Sequence, residues 1–180
     1  MKKIKKIKRG FSIGEVMLSA FILSVTLVML VRAISNSIMY SLDSRNSIIA
    51  SELAQEGAEL VRNFRDNNWA AGKSSFDSTG FSHTSDENCI ASYNSTKLNC
   101  NQGTSAFALK HNGRYYNQNS GDGTKFQRRI KVSLSGDEMT VYSIVTWNGG
   151  IPPRDVNKCN SGSKCVFAQS VLDDWRGTGT

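Results

Sequence analysis

Lys8-Arg-Gly-Phe-Ser-Ile-Gly-Glu-Val-Met-Leu18, continued by Ser19-Ala-Phe-Ile-Leu-Ser-Val-Thr-Leu-Val-Met-Leu-Val31, decides how the rest of the 180-residue chain is read. A basic head ends at Gly10, an aromatic follows at Phe11, and Glu15 is the single charge inside an otherwise apolar run. From Phe11 to Val31 that run is about 21 residues, which as a helix spans roughly 30 Å, the thickness of a bilayer core. An acid buried at the centre of a membrane helix costs about 2.5 to 3.5 kcal/mol on insertion scales, so Glu15 calls for a partner or a purpose.

The segment Gly10-Phe11-Ser12-Ile13-Gly14-Glu15, followed by an apolar helix, resembles the N-terminus of type IV prepilins and of the pseudopilins of type II secretion systems. The resemblance implies cleavage after Gly10 by a prepilin peptidase on the cytoplasmic side, N-methylation of the new terminal Phe11, and a role for Glu15 in docking subunits into a filament. The expected partners are therefore the peptidase, the membrane, and other pilin or pseudopilin subunits. The expected location is a single pass of the cytoplasmic membrane before assembly, and a surface pilus or periplasm-side pseudopilus afterwards.

Two plainer readings explain less. A secretory signal also has a basic head and an apolar core, with Ala33-Ile34-Ser35 as a small-residue cleavage site, but Glu15 interrupts the core and Arg32 abuts the cut. A simple anchor accounts for the length and leaves Glu15 and the Gly10-Phe11 junction without explanation.

The charge balance agrees with a cytoplasmic flank. Of the net +7, six charges sit at Lys2, Lys3, Lys5, Lys6, Lys8 and Arg9, so the chain beyond the leader carries about +1. The high pI therefore says little about nucleic acid. Cys89, Cys100, Cys159 and Cys165 all follow the apolar segment, on the side predicted to be oxidising. Four cysteines allow three connectivities, and the two short local loops, Cys89–Cys100 and Cys159–Cys165, are the expected pairing. Zinc is a weak rival, since neither pair has knuckle spacing and only His83 and His111 remain as ligands. No metal or cofactor is expected.

Beyond Val31 the helical pattern continues. Ile34, Ile38, Leu42, Ile49, Leu53, Leu60 and Phe64 recur at steps of four or seven and no proline occurs before Pro152, so one helix from about Ser12 to Asp66 is predicted, roughly 80 Å long. Gly57, a residue that costs about 1 kcal/mol within a helix, marks a site of close backbone approach. Ser51 to Trp69 is similar to the end of this helix in pilin-like proteins, which carries the resemblance to about residue 69. One departure is Arg32, standing where major pilins often have a helix-kinking proline.

The division read from the chain is a leader at 1–10, an apolar assembly helix at 11–31, its amphipathic continuation at 32–68, a polar variable loop at 69–103, and an antiparallel sheet with the second cysteine pair at 104–180. Strand signals are Ala106–Lys110 and Arg114–Tyr116 around an Asn112-Gly113 turn, alternation from Phe126 to Leu134, the apolar Thr140–Trp147 as the central strand, and Val166–Leu172. The fold class is α+β: a long helix on a sheet of three to five strands, which looks like the pilin fold.

Outside the N-terminus, Lys125, Arg128, Arg129 and Lys131, with Tyr115 and Tyr116, could grip phosphates and stack bases, as DNA uptake would need. The ordinary alternative is a solvated face of charges guarding a sheet edge. Asn117 to Gly123 faintly resembles a calcium loop but has too few carboxylates. No nucleophile, phosphate loop or paired-acid frame is recognisable, so the chain is not read as an enzyme. The expectation is a structural filament subunit. The alternative is a minor tip subunit that binds a surface, DNA or a secreted protein.

Overall fold

The computed structural model describes Gly10 and residues 12–174, and the leader, Phe11 and the last six residues lie outside the described set. One helix, α1 (Ile13–Ala70), precedes six strands: β1 (Asp86–Cys89), β2 (Ala108–His111), β3 (Tyr116–Asn117), β4 (Asp122–Ser135), β5 (Glu138–Thr146) and β6 (Cys165–Asp173). The strands form an antiparallel sheet in the order β3-β2-β4-β5-β6, with β1 paired to β4. This is the expected α+β arrangement, with one short strand, β1, more than the upper sequence-based count of five.

The chain divides into two compact units at Ser44/Arg45. In the first, the helical residues are exposed on nearly every side, from Ile13 through Phe21, Leu27 and Ile34 to Leu42. The predicted stripe residues Ile34, Ile38 and Leu42 are thus exposed.

In the second unit the buried face of α1 starts at Ala50 and comprises Ala50, Leu53, Ala54, Gly57, Ala58, Val61, Phe64 and Asn68. The steps of three and four are those of one helical face. Four of these eight are alanine or glycine, so the sheet lies close to the helix backbone. Gly57 is the tightest point, because a Cβ there would fall 3.0 Å from Arg128 Cδ and overlap Ser143 Oγ. Ala50, Leu53 and Ala54 pack with Leu109, Phe126, Val145 and Trp147, whereas Val61 and Phe64 pack with Ile130, Val132, Met139, Val141 and Leu172.

The helix runs four residues past the predicted end at Asp66, for a reason written in the sequence. Gly72 takes φ +71°, its N–H donates to Trp69 O at 2.9 Å, and Lys73 N–H reaches back to Asn68 O at 3.0 Å. This is the Schellman pattern, in which glycine ends a helix at no steric cost. Buried Asn68 then ties the helix end to the following turn, its Nδ2 donating to Ser75 O and Asp77 O.

The stretch read as a polar loop with few apolar anchors, 69–103, contributes to the core. Phe81, Ala91 and Leu98 are fully buried, β1 joins the sheet through Asp86 and Cys89, and Leu98 N–H bonds Gly80 O. Its apolar residues are too widely spaced to show a period. The sheet therefore does not begin at 104.

The Asn112-Gly113 hairpin forms, but its turn spans residues 112–115, since His111 pairs with Tyr116. Asn112 Oδ1 accepts from Arg114 N–H and Tyr115 N–H, the side-chain turn that asparagine favours. The middle of the sheet is β4, flanked by β2 and β5, so the apolar β5 is one strand off centre. Its outer neighbour β6 pairs with it from Glu138↔Asp173 to Thr146↔Cys165.

Candidate functional site

At the start of α1, Ser12 O accepts from Glu15 N–H at 3.0 Å and Val16 N–H at 3.2 Å, which makes Ser12 the residue that opens the helix. Glu15 falls in the first turn, where four backbone N–H groups lack helical partners and the helix dipole is positive. Ser12-Ile-Gly-Glu15 also has the spacing of a capping box, a helix-start signal that reading the segment for its apolarity alone passes over. Gly10 is exposed, with open space where a side chain would stand. Phe11, expected as the new terminus and methylation site, lies outside the described residues, as does the basic leader.

Beyond Glu15 the polar groups of the apolar segment are satisfied within the helix. Ser19 Oγ donates to Val16 O at 2.9 Å, Ser24 Oγ to Phe21 O at 2.7 Å and Thr26 Oγ1 to Leu23 O at 2.9 Å. Hydroxyls that bond their own helix can enter lipid without an orphaned donor. One helix near the N-terminus is thus long and apolar enough to cross a membrane.

In the second unit, Cys89 is joined to Cys100 and Cys159 to Cys165. The first bridge lies in the core beside Ile130, and the second closes a short loop at the start of β6. His111 lies tilted against Tyr116 with its Nδ1 accepting from Gly113 N–H, and no group of three or more potential metal ligands occurs among the described residues. Asn117, at the head of the calcium-like stretch, is buried and spends its Oδ1 on Asn119 N–H and Ser120 N–H.

The basic cluster on β4 is taken apart by the fold. Arg128 points to the helix side, is fully buried, and donates to Leu53 O at 3.1 Å and Ala91 O at 2.7 Å, with Glu56 3.5 Å away. Burial pushes its pKa down, and the Glu56 charge offsets part of that. Arg129 points to the other side and is nearly buried, its guanidinium 4.6 Å from the centre of the Phe107 ring. Its pKa is lowered first by burial and then by the Arg154 cation. Lys131 pairs with Glu87 at 2.8 Å. Of the four only Lys125 is exposed, so they do not form one basic face.

The role of Arg128 was missed because its charge grouped it with Lys125, Arg129 and Lys131 as one basic cluster. Its alternation with Phe126 and Ile130 was the available signal, since side chains two apart share a face. No protein-family model, curated protein or solved structure gives a significant match to the chain.

Proposed function

We propose that this chain is a type IV prepilin or pseudopilin, held in the cytoplasmic membrane by the first half of α1, cleaved after Gly10, and packed with copies or relatives into a helical filament. The observation that carries the reading is Glu15: a carboxylate in the first turn of a helix whose apolar residues are exposed from Ile13 to Leu42. A surface of that kind is costly in water and needs lipid or other helices. An acid beside it is costly unless a cation meets it, and the amino group freed at Phe11 of an adjacent subunit is such a cation. Repeated contacts that do not close on themselves build a fibre.

The second half of α1 supports the same reading. There the helix is the spine of a disulfide-closed α+β unit, the architecture expected of a subunit displayed outside the cytoplasm. The protein acts by assembly rather than by catalysis.

Glu15→Gln tests the reading, because it keeps size and removes charge. The variant is expected to be cleaved and to stay in the membrane while failing to enter filaments. Wild-type incorporation of the cleaved variant would refute the pairing and leave Glu15 as a helix cap.

A further inference from the structure

The second unit is electrically polarised along α1. Because Phe126 packs beside Ala50 while Val132 and Leu172 pack with Val61 and Phe64, strands β4 and β6 run in the same direction as the helix and β5 runs back. The unit therefore has one end where residues 45–50 enter it and an opposite end where α1 finishes.

Six cations gather at the entry end: Arg45, Lys110, Arg114, Lys125, Lys158 and Lys164. The register fixes their level. Lys110 is paired with Gly123, Gly149 N–H bonds Lys125 O, Trp147 N–H bonds Lys164 O, and the Cys159–Cys165 bridge holds Lys158 nearby. Among the described residues Asp122, Asp155 and Glu52, the last on α1 beside Leu53, are the acids there.

Among the described residues the opposite end reverses the balance, with Asp66, Asp77, Asp137, Glu138, Asp173 and Asp174 against Arg65, Lys73 and Lys97, the last beside Leu98, whose N–H bonds Gly80 O. Glu138 pairs with Asp173, Asp174 N–H bonds Asp137 O, and Ser75 Oγ beside the helix end donates to Asp174 Oδ1 at 2.5 Å.

We propose that these two ends dock on each other between copies: the lysine-rich entry end of one globular unit seats on the carboxylate-rich far end of the next. The surface is complementary in sign and the two patches lie at opposite ends, so copies facing the same way bind head to tail and the contact repeats without closing. Two copies meeting like end to like end would repel, which gives the growing assembly a single direction. The inference rests on the filament reading for its common orientation, and it names a contact distinct from Glu15.

Zero-length carbodiimide coupling tests it on the full-length protein in membranes prepared from mixed 14N- and 15N-labelled cells, since that reagent joins a lysine to a carboxylate only when they touch. Expected are isotopically hybrid peptides linking Lys125, Lys158 or Lys164 to Asp137, Glu138 or Asp173. Each exposed ion pair is worth up to about fivefold in an equilibrium, so the yield of hybrid links at Lys158, whose amine is retained, should fall about tenfold or more in Lys125→Glu/Lys164→Glu and likewise in high salt. Links confined to single copies, or hybrid links undiminished in the double variant, would overturn the docking. The N-terminus read from the same sample separates the two ideas. A chain starting at Phe11 with no hybrid links overturns the docking alone, whereas hybrid links on a chain retaining Met1 uphold the docking and overturn the filament reading.

Discussion

Two replacements of Arg128 and one of Glu56 separate what the arginine's charge does from what its bulk does. The guanidinium bonds two backbone carbonyls and lies 3.5 Å from a Glu56 carboxylate that is itself 37% exposed. In Glu56→Gln, the burial of Arg128 is unchanged and the lost attraction is to a group already screened by water, so the cost should be about 1 kcal/mol. In Arg128→Met, the stem volume is kept and Glu56 rehydrates, but buried Ala91 O loses its donor at a cost of about 1–3 kcal/mol, partly offset because no charge is buried any longer. Arg128→Ala adds a cavity beside Gly57 and should cost about 3–5 kcal/mol. Urea unfolding of the full-length protein in detergent, followed by tryptophan fluorescence, gives the three values. The reasoning fails if Glu56→Gln costs as much as Arg128→Ala, which would mean the ion pair dominates, or if Arg128→Met is neutral.

Gly57→Ala gains about 1 kcal/mol of helix propensity yet forces a Cβ onto Ser143, and overpacking of about 1–3 kcal/mol should make it net destabilising in the same assay, with Ser143→Gly restoring part of the loss. Removing the Cys89–Cys100 bridge by double serine substitution should cost about 3 kcal/mol on the chain-entropy model, and removing Cys159–Cys165, which closes a shorter loop, somewhat less, as read by melting temperature. Glu87 accepts from Lys131 at 2.8 Å, and that bond, followed by the lysine's charge, holds its pKa below the usual carboxylate value. A depressed folded pKa gives stability that is present above the unfolded pKa of about 4.3 and is lost as pH falls through the folded value, so Glu87→Gln should lower stability slightly and evenly above about pH 4.3, with the gap to the wild type closing as pH falls below that.

What the chain disclosed before folding was whatever has a local cause. The helix was legible because its apolar spacing and lack of proline are local, and the β2–β3 hairpin because asparagine and glycine turn the chain by themselves. Its last four residues were equally local, ended by Gly72, but the apolar stripe drew the boundary at Asp66. The place of Phe81, Ala91 and Leu98 was not legible, since isolated apolar residues in a polar stretch acquire meaning only from what the sheet brings to them. Arg128 is the sharpest case. Its type says surface, its position on β4 says core, and the contest is settled by two carbonyls that are 75 and 37 residues away in sequence. At the N-terminus the converse holds, because Gly10, Phe11 and Glu15 draw their meaning from the motif, and the described structure adds the helix start at Ser12 and the exposure of the apolar surface.

The central claim concerns processing and assembly, and the mass of the N-terminal peptide from sheared surface filaments tests it most directly. The account predicts a chain that begins at Phe11 carrying one methyl group on its amino nitrogen, and full-length protein retained in the membrane when Gly10 is replaced by a bulky residue. Surface-exposed protein that retains Met1, or that begins near Asn36 as a conventional signal cleavage would leave it, contradicts the account.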